Sequence, residues 1–187
     1  MQMSSRYSRV AVVLHWLMAV LMLGNILLAW SIDLVPEERI RQVIDTHKSI
    51  GITVLGLLVL RVLWRLGHKP PAWPEGFLTL WEGRVAHLVH IGLYALLFAL
   101  PFSGWLHDSA WKAADTHPMT LFGLVPWPRI SAITSLEPVQ KEALHDLFGE
   151  AHEALATVFY VLFALHLLGA LKHQFIDGRK GLQRMWF

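Results

Sequence analysis

The chain has no cysteine, which excludes a disulfide framework and any thiolate-held zinc or iron–sulfur centre. Charge is also sparse. Asp, Glu, Lys and Arg make up 16% of the 187 residues, against about a quarter in an ordinary soluble domain. Four long apolar runs, 10–30, 50–66, 86–106 and 154–171, contain no Asp or Glu at all. Passage of zinc or a hard cation favours carboxylate ligands, so their absence weighs against a haem-free, His-lined metal or proton transporter, the rival class for this sequence. No internal repeat or low-complexity tract is visible, and residues 1–187 read as one domain. The sequence pI is near 9.1, but the basic residues flank apolar runs and form no patch, so no nucleic-acid partner is expected.

What is present points to lipid. Hydrophobic residues make up 55% of the chain, with nine Trp and eleven His, and mean hydropathy is +0.45. Each apolar run approaches the ~20 residues a helix needs to cross a bilayer, where only helices and closed barrels satisfy the backbone. The expected fold is an all-α membrane protein, a four-transmembrane-helix bundle with helices at about 10–30, 46–66, 86–106 and 150–172. The first run is too long for a signal-peptide core and lacks a small-residue cleavage site after "LLAWSID", so it reads as a retained anchor.

With both termini inside, the inner segments hold ten Lys and Arg: Arg6, Arg9, Arg61, Arg65, Lys69, Arg84, Lys172, Arg179, Lys180 and Arg184. The outer segments hold six: Arg39, Arg41, Lys48, Lys112, Arg129 and Lys141. Three acids lie inside and eleven outside. The positive-inside rule therefore makes both termini cytoplasmic. The first outer loop, "SIDLVPEERIRQVID", is short and acidic. In the inner loop, Trp73 and Trp81 suit the membrane interface. The outer segment 107–137 is the longest connection, and its "LFGLVPWPRI" is expected to fold back on the bundle. Ser135 is a candidate N-cap for the fourth helix, with Pro138 in its first turn.

The fourth helix carries His145, His152, His166 and His173 on a seven-residue spacing, with Phe159 at the missing step. Such a column drifts only ~20° per heptad. His152 and His166 are 14 residues apart, about 21 Å of helix rise, so they belong to two sites at different depths. The first helix runs outward and sets His15 on the inner side, level with His166. The second runs inward and starts with His47, level with His152. Two imidazole pairs result, His47 with His152 outside and His15 with His166 inside. Such pairs on facing helices suit a six-coordinate haem, whose iron accepts an axial nitrogen on each face. Gly51 and Gly56 offer room for a porphyrin against the second helix, as Gly24 and Gly169 do elsewhere. A single intramembrane His is also a common helix–helix hydrogen-bonding group, but ionisable groups in spans carry function by default. His68, His107, His117 and His145 read as solvated interfacial residues.

Over nearly its whole length the chain resembles the bacterial cytochrome b561 family, in particular its superoxide oxidase-like members. The resemblance rests on "RYSRVAVVLHWL", "DTHKSIGITVLGLLVLRVLWRL", "RVAHLVHIGLYALLFALPFSGWL", "FGLVPWP" and "HEALATVFYVLFALHLLGALKHQF". It implies a dihaem cytochrome of the bacterial inner membrane, with His15, His47, His152 and His166 as ligands to the iron of two haems b. His87 and His90 do not match ligand positions. His90 and His173 are candidates for a quinone site near the inner haem, ubiquinone being the expected acceptor, with interfacial polarity as the alternative. The expected function is electron transfer across the membrane from a periplasmic-side donor, superoxide among the candidates, to a quinone. The outer loops are net acidic, however, where an anionic donor calls for an electropositive funnel. A haem-binding subunit of a larger oxidoreductase, docked to a redox partner protein, is the alternative.

Overall fold

The computed structural model describes residues 6–73, 77–179 and 181–186; Lys180 and Glu75, counted above with the inner charges, lie outside them. Four helices are long and apolar enough to cross a membrane. Helix α1 spans Arg9–Ser31, α2 Glu37–Gly67, α3 Leu80–Ser109 and α5 Pro138–Leu171, with a four-residue α4, Ser131–Thr134, between the last two.

Local chemistry sets the ends. Ser8 caps α1, its Oγ accepting from the Ala11 amide. Helix α2 starts at Glu37 rather than near 46, because Pro36 precedes it and Glu37 and Glu38 complement the dipole of its first turn. The first outer loop thereby shrinks to a 3-10 turn, Ile32–Leu34, and two residues. Helix α3 starts at Leu80 rather than 86, through a capping box in which Thr79 and Glu82 bond each other's backbone amides. Both extensions are polar turns beyond the lipid, which a hydropathy criterion passes over. Ser135 ends α4 rather than capping α5; Glu137 takes the N-cap position of α5, with Pro138 in its first turn. Beyond Leu171 the chain makes a π-helical turn, Lys172–Ile176.

Helices α1 and α2, α2 and α3, and α3 and α5 pack closely, whereas α5 makes no comparable backbone approach to α1 or α2. Only 6% of the apolar window of α5 is buried, against 17–22% for the other three spans. Met18, Met22, Val54, Leu58, Val89, Leu93, Leu96, Leu100 and Phe159 form the core. Helices α3 and α5 come close at Gly92, where an added Cβ would come within 2.6 Å of Leu162 Cδ1 and make that side chain shift. Val20, Leu27 and Leu168, each more than 60% exposed, are the lipid-facing surface of such a bundle.

The two ends are built differently. At the near end, which carries both termini, the Tyr7 amide donates to the Arg184 carbonyl and Trp16 Nε1 to the Met185 carbonyl. Arg184 donates to the carbonyls of Pro71 and Ala72 and lies 4.3 Å above the Trp73 ring. Trp73 is thus a cation–π partner, while Trp81 is 66% exposed, as an interface residue would be. At the far end the segment 107–137 folds back as expected. Its two-residue strands β1 (Thr120–Leu121) and β2 (Val125–Pro126) pair around a turn with Phe122 and Gly123 at positive φ. The Phe122 amide donates to Ser49 Oγ on α2. Asp108, buried at the end of α3, accepts from Lys48 Nζ at 2.9 Å and Arg129 Nε at 2.8 Å.

Candidate functional site

Imidazoles meet at two levels in the seam between α5 and the α1–α2 pair. At the far level the His47 and His152 ring centroids are 6.2 Å apart, with planes at 78°. At the near level His15 and His166 are also 6.2 Å apart, at 76°. A metal–imidazole nitrogen bond is about 2.0 Å and the ring centre lies about 1 Å beyond, so trans imidazoles on one metal have centroids about 6 Å apart. The donor set therefore fits a haem iron at each level: nitrogen only, free of thiolate and carboxylate, on helices whose backbones stand apart. Added Cβ atoms at Gly24, Gly56 and Gly169 would meet nothing within 4 Å, and one at Gly51 only Asn25 Nδ2 at 3.9 Å, leaving these stretches of helix smooth.

The levels differ in how the rings are held. His47 Nδ1–H donates to the Asn25 carbonyl at 3.2 Å. The Ser103 hydroxyl donates to the Leu100 carbonyl, which leaves its oxygen to accept from His152 Nδ1–H at 2.9 Å. These tautomers follow from the partners, and they turn both Nε2 atoms to the seam. Such outer hydrogen bonds orient metal-binding imidazoles and raise their basicity. The close pass of α3 fixes the His152 ring further, since a Cβ on Gly104 would lie 3.4 Å from its Cε1. Among the described residues neither His15 nor His166 has a hydrogen-bond partner. His166 instead meets a third ring, His90, at 5.0 Å and 84°, and His90 Nδ1–H donates to the Ala86 carbonyl at 2.6 Å.

Among the described residues no contact joins His90 and His173, the two candidates for the quinone site. His90 lies on the exposed flank of α3 against the near level. His173 joins a charged cluster in which its Nδ1 is 2.7 Å from Asp177 and Lys172 bridges Asp177 and Glu82 at 2.8 and 2.9 Å. The Lys172 ammonium, followed by His173, holds the Asp177 carboxyl below the usual carboxylate range. His68 and His117 are exposed, as expected. His107 and His145 depart from a solvated role: they stack at 3.8 Å and 19°, and each Nδ1–H donates to the other's carbonyl, at 2.8 and 3.1 Å. Sequence reasoning missed that pair and the supporting Ser103. The 38-residue separation of His107 and His145 carries no periodic signal, and a lone serine in an apolar run reads as filler.

A four-helix membrane bundle whose helices face each other through paired imidazoles at two depths has the architecture of a b-type membrane cytochrome. The chain matches the family model described as prokaryotic cytochrome b561 over residues 6–187 and belongs to that family. It is 34% identical to cytochrome b561 homolog 2 of Escherichia coli K12, over 96% of this chain and 90% of that one. It is 29% identical to the probable superoxide oxidase CybB of Yersinia pestis, over 98% of this chain and 97% of the relative. Identity to cytochrome b561 homolog 1 of Escherichia coli K12 is 25%, over 97% of each. The chain is thus a multi-pass bacterial membrane protein of haem b electron transfer.

Proposed function

We propose that the protein carries electrons across the bacterial inner membrane through two haems b, one held by His47 and His152 and the other by His15 and His166. The observation that carries this reading is the pair of 6.2 Å imidazole approaches, separated along α5 by 14 residues. Bound haem supplies reversible one-electron storage at each level. The chain supplies four nitrogens, sets the levels about 21 Å apart along the helix, and surrounds them with apolar side chains. The near end, with the termini, faces the cytoplasm, as the excess of Lys and Arg there favours.

A donor on the periplasmic side delivers electrons to the far level, and a quinone takes them up at the near level, two electrons and two protons per quinol. His90 supports the quinone reading, because it is exposed on a lipid-facing helix and touches His166. His173 is the second candidate contact, with Asp177 as its proton-linked partner. The name of the Yersinia relative makes superoxide the first donor to try. The far end argues for restraint there, because Arg41, Lys48, Arg129 and Lys141 are all engaged by carboxylates, which weakens electrostatic capture of an anion.

A second reading, the membrane subunit of a larger oxidoreductase, is favoured by the apolar hairpin tip at the far end. Phe122, Leu124 and Val125 are 54, 83 and 56% exposed there, a surface suited to a partner protein. Stopped-flow reduction of the purified protein by a superoxide flux, with and without ubiquinone, tests the first reading. Haem reduction followed by quinone-dependent reoxidation is the expected result. Failure with superoxide, alongside co-purification of a redox partner, favours the second. A pyridine haemochrome assay showing no haem b sinks both and leaves a His-lined transporter.

A further inference from the structure

Arg61 and Arg65 are cations on α2 that the proposed function does not use. Arg61 Nε donates to the Tyr94 hydroxyl at 2.8 Å, and its Nη1 donates to the Ala11 carbonyl at 2.8 Å. Arg65 Nη1 donates to the same Tyr94 oxygen at 3.1 Å. Every one of these acceptors is neutral, and among the described residues no carboxylate lies within ion-pair distance of either guanidinium. Both line a cavity of about 500 Å³ with Ala11, Trp64 and Lys69, and among the described residues no acidic one lines it. Cations elsewhere find carboxylates: Lys48 and Arg129, both little exposed, share Asp108, and the exposed Lys172 holds Glu82 and Asp177. Charges within a span are ordinarily paired, and a desolvated cation with only dipoles around it is costly.

Depth says where the missing anion belongs. Helices α2 and α5 both run from the far end to the near end. His47 and Arg61 are 14 residues apart on α2, and His152 and His166 are 14 apart on α5. Since His47 faces His152, Arg61 comes level with His166, about 21 Å below and on nearly the same helix face as His47. Ala11, whose carbonyl fixes the guanidinium, lies one turn from His15 on α1. Helix α2 thus offers an imidazole at the far level and a guanidinium at the near one.

We propose that Arg61, backed by Arg65, is the counter-cation for the ionised carboxylate side chains of the haem held between His15 and His166, with the Tyr94 hydroxyl fixing both guanidinium groups. This rests on the haem reading above. A guanidinium presents a fixed fork of donors to a carboxylate, and the pairing keeps the near haem's midpoint potential up by offsetting negative charge that favours the oxidised iron.

The test is an optical redox titration of wild type, Arg61→Lys and Arg61→Gln, with His166→Ala identifying the near haem by its loss. Arg61→Gln should lower the near midpoint, make it fall with rising pH near neutrality, and leave the far midpoint alone; Arg61→Lys should retain most of the wild-type value. Redox-induced infrared difference spectra with haem labelled in its carboxylates should show those bands displaced in Arg61→Gln. If Arg61→Gln loses the near haem while Arg61→Lys keeps it, the proposal also stands, and Arg65→Gln then supplies the midpoint shift. Equal behaviour of Lys and Gln, or no change in either, overturns it. So does a near midpoint that moves when the wild type is transferred to nanodiscs free of anionic lipid, because the anion is then a lipid phosphate. A wild type without two haems b overturns the haem reading itself, a result read before any variant is made.

Discussion

The far and near levels each pair two imidazoles at the same 6.2 Å spacing, yet their surroundings are close to opposite. At the far level both rings donate through Nδ1, to the Asn25 carbonyl and the Ser103 hydroxyl, and a neutralised ion network and a pinned hairpin close the end above them. At the near level, among the described residues, neither ring has such a partner, and a third imidazole and an arginine with no carboxylate at ion-pair distance stand beside them. Hydrogen bonding from Nδ1 makes an imidazole a stronger donor and favours oxidised iron, whereas a nearby cation favours the reduced form. On the proposed haem reading, the contrast would order the two levels, with electrons passing downhill from far to near.

The largest effect that can break this comparison is loss of a ligand. His166→Ala should reduce haem b from two per chain to one while keeping the far midpoint, and His152→Ala should do the reverse, both read by pyridine haemochrome and redox titration. The same titration of wild type must show the surviving midpoint of His166→Ala to be the lower of the two. Loss of both haems, or of neither, in the single variants would dissolve the pairing.

Next comes the far-end ion network. Asp108 is 7% exposed and serves two cations, so Asp108→Asn leaves Arg129 without its counter-charge and Lys48 with Asp45 alone. Breaking a buried pair this way costs about 3–5 kcal/mol. Thermal unfolding in detergent should shift down, with haem lost from the far level before the near one. Simultaneous loss from both would show that the levels are not independently supported.

A smaller and more selective change is Ser103→Ala. It removes the acceptor for His152 Nδ1–H, a hydrogen bond worth about 1 kcal/mol in stability. The far midpoint should rise toward the near one while the near midpoint stays put. An unchanged gap would mean that the hydrogen bonds at the far level do not set the order.

That contrast also separates what the sequence shows from what it does not. The four spans follow from apolar run lengths, and the matching of His47 with His152 and of His15 with His166 follows from counting rise along helices of known direction. Both are one-dimensional quantities, so a single sequence carries them. The helix starts at Glu37 and Leu80 lie in polar turns beyond the lipid, where hydropathy says nothing, although Thr79 with Glu82 was a legible capping box. Ser103, the stacking of His107 on His145, and the distance between His90 and His173 depend on helix rotation and on which neighbours touch, and no periodicity encodes these. The level of Arg61 follows from the same 14-residue interval, counted along α2 from His47.

The smallest expected effect concerns the clasp below the near level. Asp177 is held below the ordinary carboxylate range, first by Lys172 and then by His173. A group depressed in the folded state contributes fully above its unfolded value, about 4 for Asp, and the contribution is lost as pH falls through the lower folded value. Amide exchange over residues 177–179 and 181–186, corrected for intrinsic rates, should therefore stay protected from pH 7 down to about 4 and loosen only below that. Asp177→Asn should be loosened at every pH, with haem content and both midpoints unchanged. Wild-type protection that instead fails well above about pH 4 would show that the Asp177 carboxylate is not what holds the clasp.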